Sequence, residues 1–297
     1  MTVQDLSQLV AVAPEPLNAN DLPDPTFNAH SPHSHNDPWL RKIIRVLVPI
    51  QKYSSMGFAS FLGLHVTSVA IIPGLGAPLP ESQQIFEMGR ALYQWAPVEK
   101  FIFISLGIHV VSGISLRIAR TVLGTRRKKR NSFEPIKSPE DDDIGLGGIT
   151  SLLGLGYRRS WISTQFPGLS PLSFSGYVLM PLLAYHYYKF RLRPLQVDGD
   201  SSLVNLHYVA YVLKGSVWGH IGNWVNTLSL AGLVWVTMYH WVSGVMRYQR
   251  WFSARSRWWG YVVINSVTAL AMVSITRLRM LKLDTDYVGR HFMAYVQ

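Results

Sequence analysis

Long apolar runs alternate with short polar and basic stretches over most of the chain. A helix of about 20 residues crosses a hydrocarbon core roughly 30 Å thick. Runs of that length lie at about 49–72, 98–119, 172–190, 225–246 and 258–277. Trp and Tyr gather at their ends, as at Tyr93/Trp95, Tyr187/Tyr188, Trp251 and Trp258/Trp259/Tyr261, which suits anchoring at headgroup level. A soluble helical protein with unusually apolar core helices is the competing reading. It fails on quantity, because a chain of 297 residues has too little polar helix surface to hide five such runs from water. The pattern therefore predicts an all-α integral membrane domain with five transmembrane helices over residues 41–297.

The first 40 residues show no apolar periodicity. Pro14, Pro16, Pro23, Pro25, Pro32 and Pro38 stand among Asn, Asp, Ser and His, a composition expected to be extended and disordered when alone. Pro14 and Pro16 flank Glu15, and Pro23 and Pro25 flank Asp24. A Pro-x-Pro of this kind serves either as a linker or as a docking peptide, since a segment with preset backbone angles loses little entropy when it binds. Val12, Pro14, Glu15, Pro16 and Leu17 are the candidate partner-binding residues of the docking reading. Between the spans, the pattern predicts a short helix near 82–93, a charged loop at 120–145 and an amphipathic stretch at 201–222 lying at the interface.

Charge adds an orientation. The first 40 residues hold four Asp and one Glu and no Lys or Arg, whereas the whole chain is +11. This tail is neither a basic presequence nor an apolar secretory signal. With five spans, 18 of the 28 Lys and Arg fall on the side of the tail, so the positive-inside tendency places the N-terminus in the cytosol. The basic run at 126–130 reads as a flank for anionic headgroups rather than a nucleic-acid site, because acidic residues 140–143 follow it. The absence of cysteine excludes disulfides, iron–sulfur clusters and covalent haem attachment.

The spans carry a repeat. The second reads His109-Val-Val-Ser112-Gly113 and ends at Arg117, and the fourth reads His240-Trp-Val-Ser243-Gly244 and ends at Arg247. The first and third each hold one late histidine, His65 and His186. The simplest account is a two-helix unit used twice with a fifth helix appended. At 1.5 Å per residue, His65 and His186 lie roughly 6–10 Å inside one face and His109 and His240 about 10–12 Å inside the other. Two pairs result, first helix with third and second with fourth. This arrangement suits two bis-histidine b-type haems, with Gly113 and Gly244 clearing space for the macrocycle and Arg117 and Arg247 meeting propionates. The alternative is that each histidine bonds a neighbouring helix and each Ser-Gly serves packing. Membrane-embedded Ser55, Ser60, Thr67, Ser105, Ser112, Thr227 and Thr237 either pack helices or line a hydrophilic groove. His30, His33, His35, His207, His220 and His291 read as ordinary polar residues. No catalytic residue stands out, so the chain is not expected to be an enzyme.

The tail segments Val12-Ala-Pro14-Glu15-Pro16-Leu, Asp21-Leu-Pro23 and Asn28-Ala-His30-Ser-Pro32 resemble the start of the fungal Mcp mitochondrial adaptors, and the His-x-x-Ser-Gly body resembles their membrane domain. That body is in turn similar to the dihaem cytochrome b anchors of fumarate reductase and succinate dehydrogenase, with their 2+2 helix repeat plus one. The resemblance implies an outer mitochondrial membrane location and a tail that recruits the Vps-thirteen bridge-like lipid transporter to membrane contact sites. It also implies a role in lipid homeostasis, including phospholipid scrambling. The second functional reading is an electron-transferring b-type cytochrome.

Overall fold

The computed structural model describes residues 38–130, 146 and 169–297, and these are entirely helical or connecting. The tail with its Pro-x-Pro motifs lies outside them, as does nearly all of the loop after the second long helix. We number the helices α1 (Pro38–Gly74), α2 (Leu79–Tyr93), α3 (Ala96–Arg130), α4 (Pro171–Tyr187), α5 (Leu206–Lys214), α6 (Gly219–Gln249), α7 (Ala254–Met280) and α8 (Tyr287–Val296). Helix α4 continues through Tyr188–Leu192 into a last short turn, Arg193–Asp198.

Four of these helices, α1, α3, α6 and α7, are long and apolar enough to cross a membrane. Their flanks expose Phe101, Ile104, Val111, Ile118, Leu228 and Val273, a surface that only an apolar solvent accommodates over this extent. The expected third span, 172–190, is helical where the sequence places it, but it does not join the other four. Ser173, Ser175, Pro181, Tyr185 and His186 dilute its apolar run, so that among the described residues four helices meet the requirements of length and composition. Helix starts follow local capping rules. Ser170 accepts from the Ser173 amide ahead of Pro171 at the first turn, and Ser253 accepts from the Ser256 amide.

The helices form two hairpins. Helix α1 packs along α3, where Gly57 lets Phe101 and Ser105 approach its backbone. Helix α6 packs along α4 and α7, with Met238, Val242, Met246 and Ile264 buried in the α6–α7 seam. The hairpins meet where α7 crosses the end of α1. There Gly74 lies so close to the Leu270 carbonyl that a Cβ would overlap it. The same end of α1 contains a π segment, Thr67–Ile71. Ser274 donates to the Val69 carbonyl at 2.7 Å, and Arg277 donates to the carbonyls of Pro73 and Ala77. In an apolar medium each of those carbonyls is costly when unpaired, so α7 supplies what the helix end lacks.

A cap closes this end of the bundle. Within the stretch 201–222, expected on the interface, Leu206–Lys214 instead forms α5, with Leu206, Tyr208, Ala210, Tyr211, Val212 and Leu213 all buried, while Val217, Trp218 and Ile221 are exposed. Tyr208 and Tyr211 pack on Phe292 and Tyr295 of α8, so its apolar residues turn toward α8 and the bundle rather than toward lipid. Arg191 pairs with Glu99 at 2.8 Å, and Asp198 accepts from His291 at 2.9 Å and from Tyr295. Burial, reinforced by that carboxylate, pushes the Tyr295 phenol above its ordinary range.

The joint gives a direct test. Arg277→Ala leaves two carbonyls without their charged donor and is expected to cost about 2–3 kcal/mol. Gly74→Val forces a backbone clash and is expected to cost at least as much. Thermal unfolding in detergent, followed by tryptophan fluorescence, measures both. Unchanged midpoints would show that the α1–α7 joint is not what holds the hairpins together.

Candidate functional site

The spacing of apolar positions along α1, α3, α4 and α6 turns one histidine of each toward the space between the hairpins. His65 of α1 faces His186 of α4, with ring centroids 5.9 Å apart and planes at 69°. His109 of α3 faces His240 of α6, with centroids 6.1 Å apart and planes at 87°. The pairing expected from depth is thus the pairing the fold makes, first helix with third and second with fourth. All four rings are half-buried, although they lie inside the bundle. The helix pairs that carry them, α1 with α4 and α3 with α6, are not among the closely packed pairs of the described residues. A slot therefore runs between the hairpins, bridged at two levels by imidazoles.

The two levels differ in their surroundings. At the level near Pro38, His109 Nδ1 lies 3.2 Å from the Gln51 carbonyl. A carbonyl only accepts, so Nδ1 carries the proton and Nε2 keeps its lone pair. His240 Nδ1 lies 3.0 Å from the Ser175 hydroxyl, whose own hydrogen goes to the Leu172 carbonyl at 2.8 Å. Ser175 consequently accepts, and His240 is set in the same tautomer. At the other level, the Nδ1 atoms of His65 and His186 are buried without a hydrogen-bond partner. Aromatic rings enclose that pair: Phe61 stacks on His65 at 5.3 Å, Tyr93 meets it edge-on at 5.9 Å, and Phe190 lies 4.7 Å from His186.

A backbone feature marks the second pair. The π segments Thr67–Ile71 and Tyr188–Leu192 each begin two residues after a histidine, His65 and His186. Such bulges concentrate at functional sites because they re-aim side chains. Their identical placement in both hairpins extends the repeat beyond the His-x-x-Ser-Gly motif.

The glycines divide. A Cβ added at Gly244 would meet open space. Gly113 differs, because a Cβ there would come within 2.8 Å of Gln51 Nε2, so its bareness makes room for the residue that orients His109. Gly176 does the corresponding service for His240, whose Cε1 would lie 3.1 Å from an added Cβ. Arg117 lines a groove with Ile114, Ile118 and Tyr177 at the same end of the slot. Of the residues considered for a hydrophilic groove, Ser55, Ser60, Ser112 and Thr227 bond carbonyls of their own helices, as such residues do when they pack. Val12, Pro14, Glu15, Pro16 and Leu17 lie outside the described residues. Gln51 and Ser175 were not singled out by sequence reasoning. Their signal is faint: one amide and one hydroxyl within otherwise apolar helices.

Fold and site together define a polytopic helical membrane protein built from a duplicated, histidine-bearing helix pair. The comparisons agree on duplication. The family described as MDM10-complementing protein 1, transmembrane domain, matches this chain twice, over residues 60–162 and 181–283, and the chain belongs to that family. It is also 28% identical to the mitochondrial adapter protein MCP1 of Saccharomyces cerevisiae over 301 residues, covering 95% of this chain and 93% of that relative. No solved structure matches the chain.

The unpartnered nitrogens make a test. In protein freed of any bound group, replacing both His65 and His186 with Leu removes two buried polar atoms that lack partners. The double variant is expected to be more stable by about 1–3 kcal/mol, read as a higher unfolding temperature in detergent. A lower temperature would mean that the imidazoles stabilise the empty bundle.

Proposed function

We propose that this chain is an adaptor of the outer mitochondrial membrane, whose tail displays a linear docking peptide and whose helices serve as its anchor. The observation that carries the reading is the likeness along nearly the whole chain to a relative named as a mitochondrial adapter protein. The partner is a bridge-like lipid-transfer protein of the Vps-thirteen class, bound through Val12, Pro14, Glu15, Pro16 and Leu17 at a membrane contact site. A short apolar peptide between prolines offers alternate side chains to a sheet edge or groove at small entropic cost.

In this reading α4 with its continuation is a fifth span. Its polar groups find partners inside the protein: Ser175 with His240, and Tyr185 with Asn226, which in turn donates to the Val212 carbonyl at 2.6 Å. A helix satisfied in this way enters a membrane although its composition is mixed. Five spans put the tail in the cytosol, with the basic flanks, and the α5–α8 cap on the opposite side. The membrane domain then distributes delivered phospholipid between the leaflets, which supports lipid homeostasis.

Replacing Pro14 and Pro16 together with Ala is expected to abolish recruitment of the lipid-transfer protein to mitochondria, read by fluorescence co-localisation, with membrane insertion unchanged. Recruitment that survives this change and also the loss of Pro23 and Pro25 would rule out the tail as the docking element. For leaflet exchange, purified protein in liposomes is expected to expose inner-leaflet fluorescent phospholipid to dithionite. Bleaching that stops at the outer leaflet, as in empty vesicles, would remove that part of the proposal.

A further inference from the structure

The histidine pairs lie within the helices that anchor the adaptor, and the docking reading gives them no task. They pose a chemical problem that packing does not answer. At the near level both Nδ1 atoms carry protons that are already placed, on the Gln51 carbonyl and on Ser175. Both Nε2 atoms are therefore acceptors, and neither ring can donate a hydrogen bond to the other. Two such rings set face to edge inside the bundle leave two lone pairs free to take an electrophile. At the far level two further imidazoles face each other, and their Nδ1 atoms, buried without a partner, leave the ring orientation to the packing of Phe61, Tyr93 and Phe190.

The spacing of the rings fits a metal between them. A metal–imidazole bond is about 2 Å long and the ring nitrogen lies about 1 Å from the centroid, so two trans imidazoles on one metal have centroids roughly 6 Å apart. The observed separations are 5.9 and 6.1 Å. A simple ion does not fit, since the described residues contain no group of three or more His, Cys, Asp or Glu around one point, and two ligands leave it under-coordinated. A metal that brings its own planar set of equatorial donors needs two axial histidines and a flat space. The slot between the hairpins is that space, since α1 and α4, and α3 and α6, stand apart. A Cβ added at Gly244, one turn from His240, would meet open space. Arg117 and Arg247 flank the near level and have no ion-pair partner among the described residues, and a macrocycle with acidic side chains supplies one.

We propose that the chain binds two b-type haems, one held by His65 and His186 and the other by His109 and His240. The two centres are unequal. Ser175 and the Gln51 carbonyl act as positioning groups: by accepting from Nδ1–H they make the near imidazoles stronger donors to iron, whereas the far pair has no such support. Bound haem supplies one-electron redox chemistry; the chain's contribution is to fix ring tautomer, spacing and access. This inference goes beyond the adaptor reading and does not rest on it.

The test uses the full chain, produced with haem supply and purified in detergent. Dithionite-minus-oxidised spectra are expected to show low-spin b-type bands, and pyridine haemochrome analysis two haems per chain. His240→Gly and His65→Gly each reduce this to one haem, and added imidazole restores the lost band where a cavity has replaced a ligand. His207→Ala, outside the bundle, keeps both haems. Ser175→Ala keeps both but raises the midpoint potential of one centre, with the other unmoved. Colourless protein that elutes as a folded particle overturns the proposal, as does haem whose amount is unchanged when His65 and His240 are both replaced. The Pro14/Pro16 variant keeps its spectrum, so failure of docking and failure of haem binding are distinguishable.

Discussion

The bundle depends on how the end of α1 is finished. A helix that changes to π geometry and then stops within an apolar environment releases carbonyls that no water reaches. Helix α7 meets them with Ser274 and Arg277, and Gly74 permits the approach. This contact also joins the hairpin α1/α3 to the hairpin α4/α6, which otherwise stand apart along the slot. The separation of the histidine rings at both levels follows from where that joint sets the second hairpin. The appended helix thus has a purpose that duplication alone does not give it: it fastens two copies of a unit that would have no reason to remain a fixed distance apart.

Duplication is visible in the family match, in the histidines and in the paired π segments, yet the halves are not equivalent. His65 and His186 are 121 residues apart, the same interval that separates the starts of the two family matches and of the two π segments. Each copy carries a shorter helix between its two long ones, α2 in the first and α5 in the second. Helix α5 is seated in the cap, where Asn226 holds it through the Val212 carbonyl. One end of the slot is therefore closed by folded protein and aromatic rings, and the other is bordered by basic residues at the groove of Arg117. A symmetric ancestor would have presented the same surroundings to both histidine pairs; this chain gives only one pair hydrogen-bond partners at Nδ1.

The two functional readings occupy different parts of the molecule. The proposed docking peptide lies before Pro38, and the proposed ligand site lies in the slot. Nothing in the packing obliges one to alter the other, because the tail enters α1 at the end opposite the cap and no described element other than α1 connects it to the interior. An anchor with an internal slot is also stabilised by whatever fills it, since a group bound only by the folded state shifts the folding equilibrium by mass action. That gives a haem a structural use as well as a redox one.

By itself, the sequence determined the helical membrane class, the positions of α1, α3, α6 and α7 and the duplicated motif, because apolar periodicity and span length are local properties. It also determined which histidines share a depth, since rise per residue converts numbering into distance. Helix α4 was less legible: it mixes Ser, Tyr and His into its run, and composition does not say that those groups turn to His240 and Asn226. Only the tertiary structure decided that Gln51 and Ser175 orient the near pair and that Gly113 makes room for Gln51. It alone decided that Leu206–Lys214 folds into a buried cap helix and that Arg277 finishes α1 from 200 residues away. Each of these is a contact between residues distant in the chain, set by how helices cross. A single helix carries no record of which neighbour will accept its hydrogen bonds.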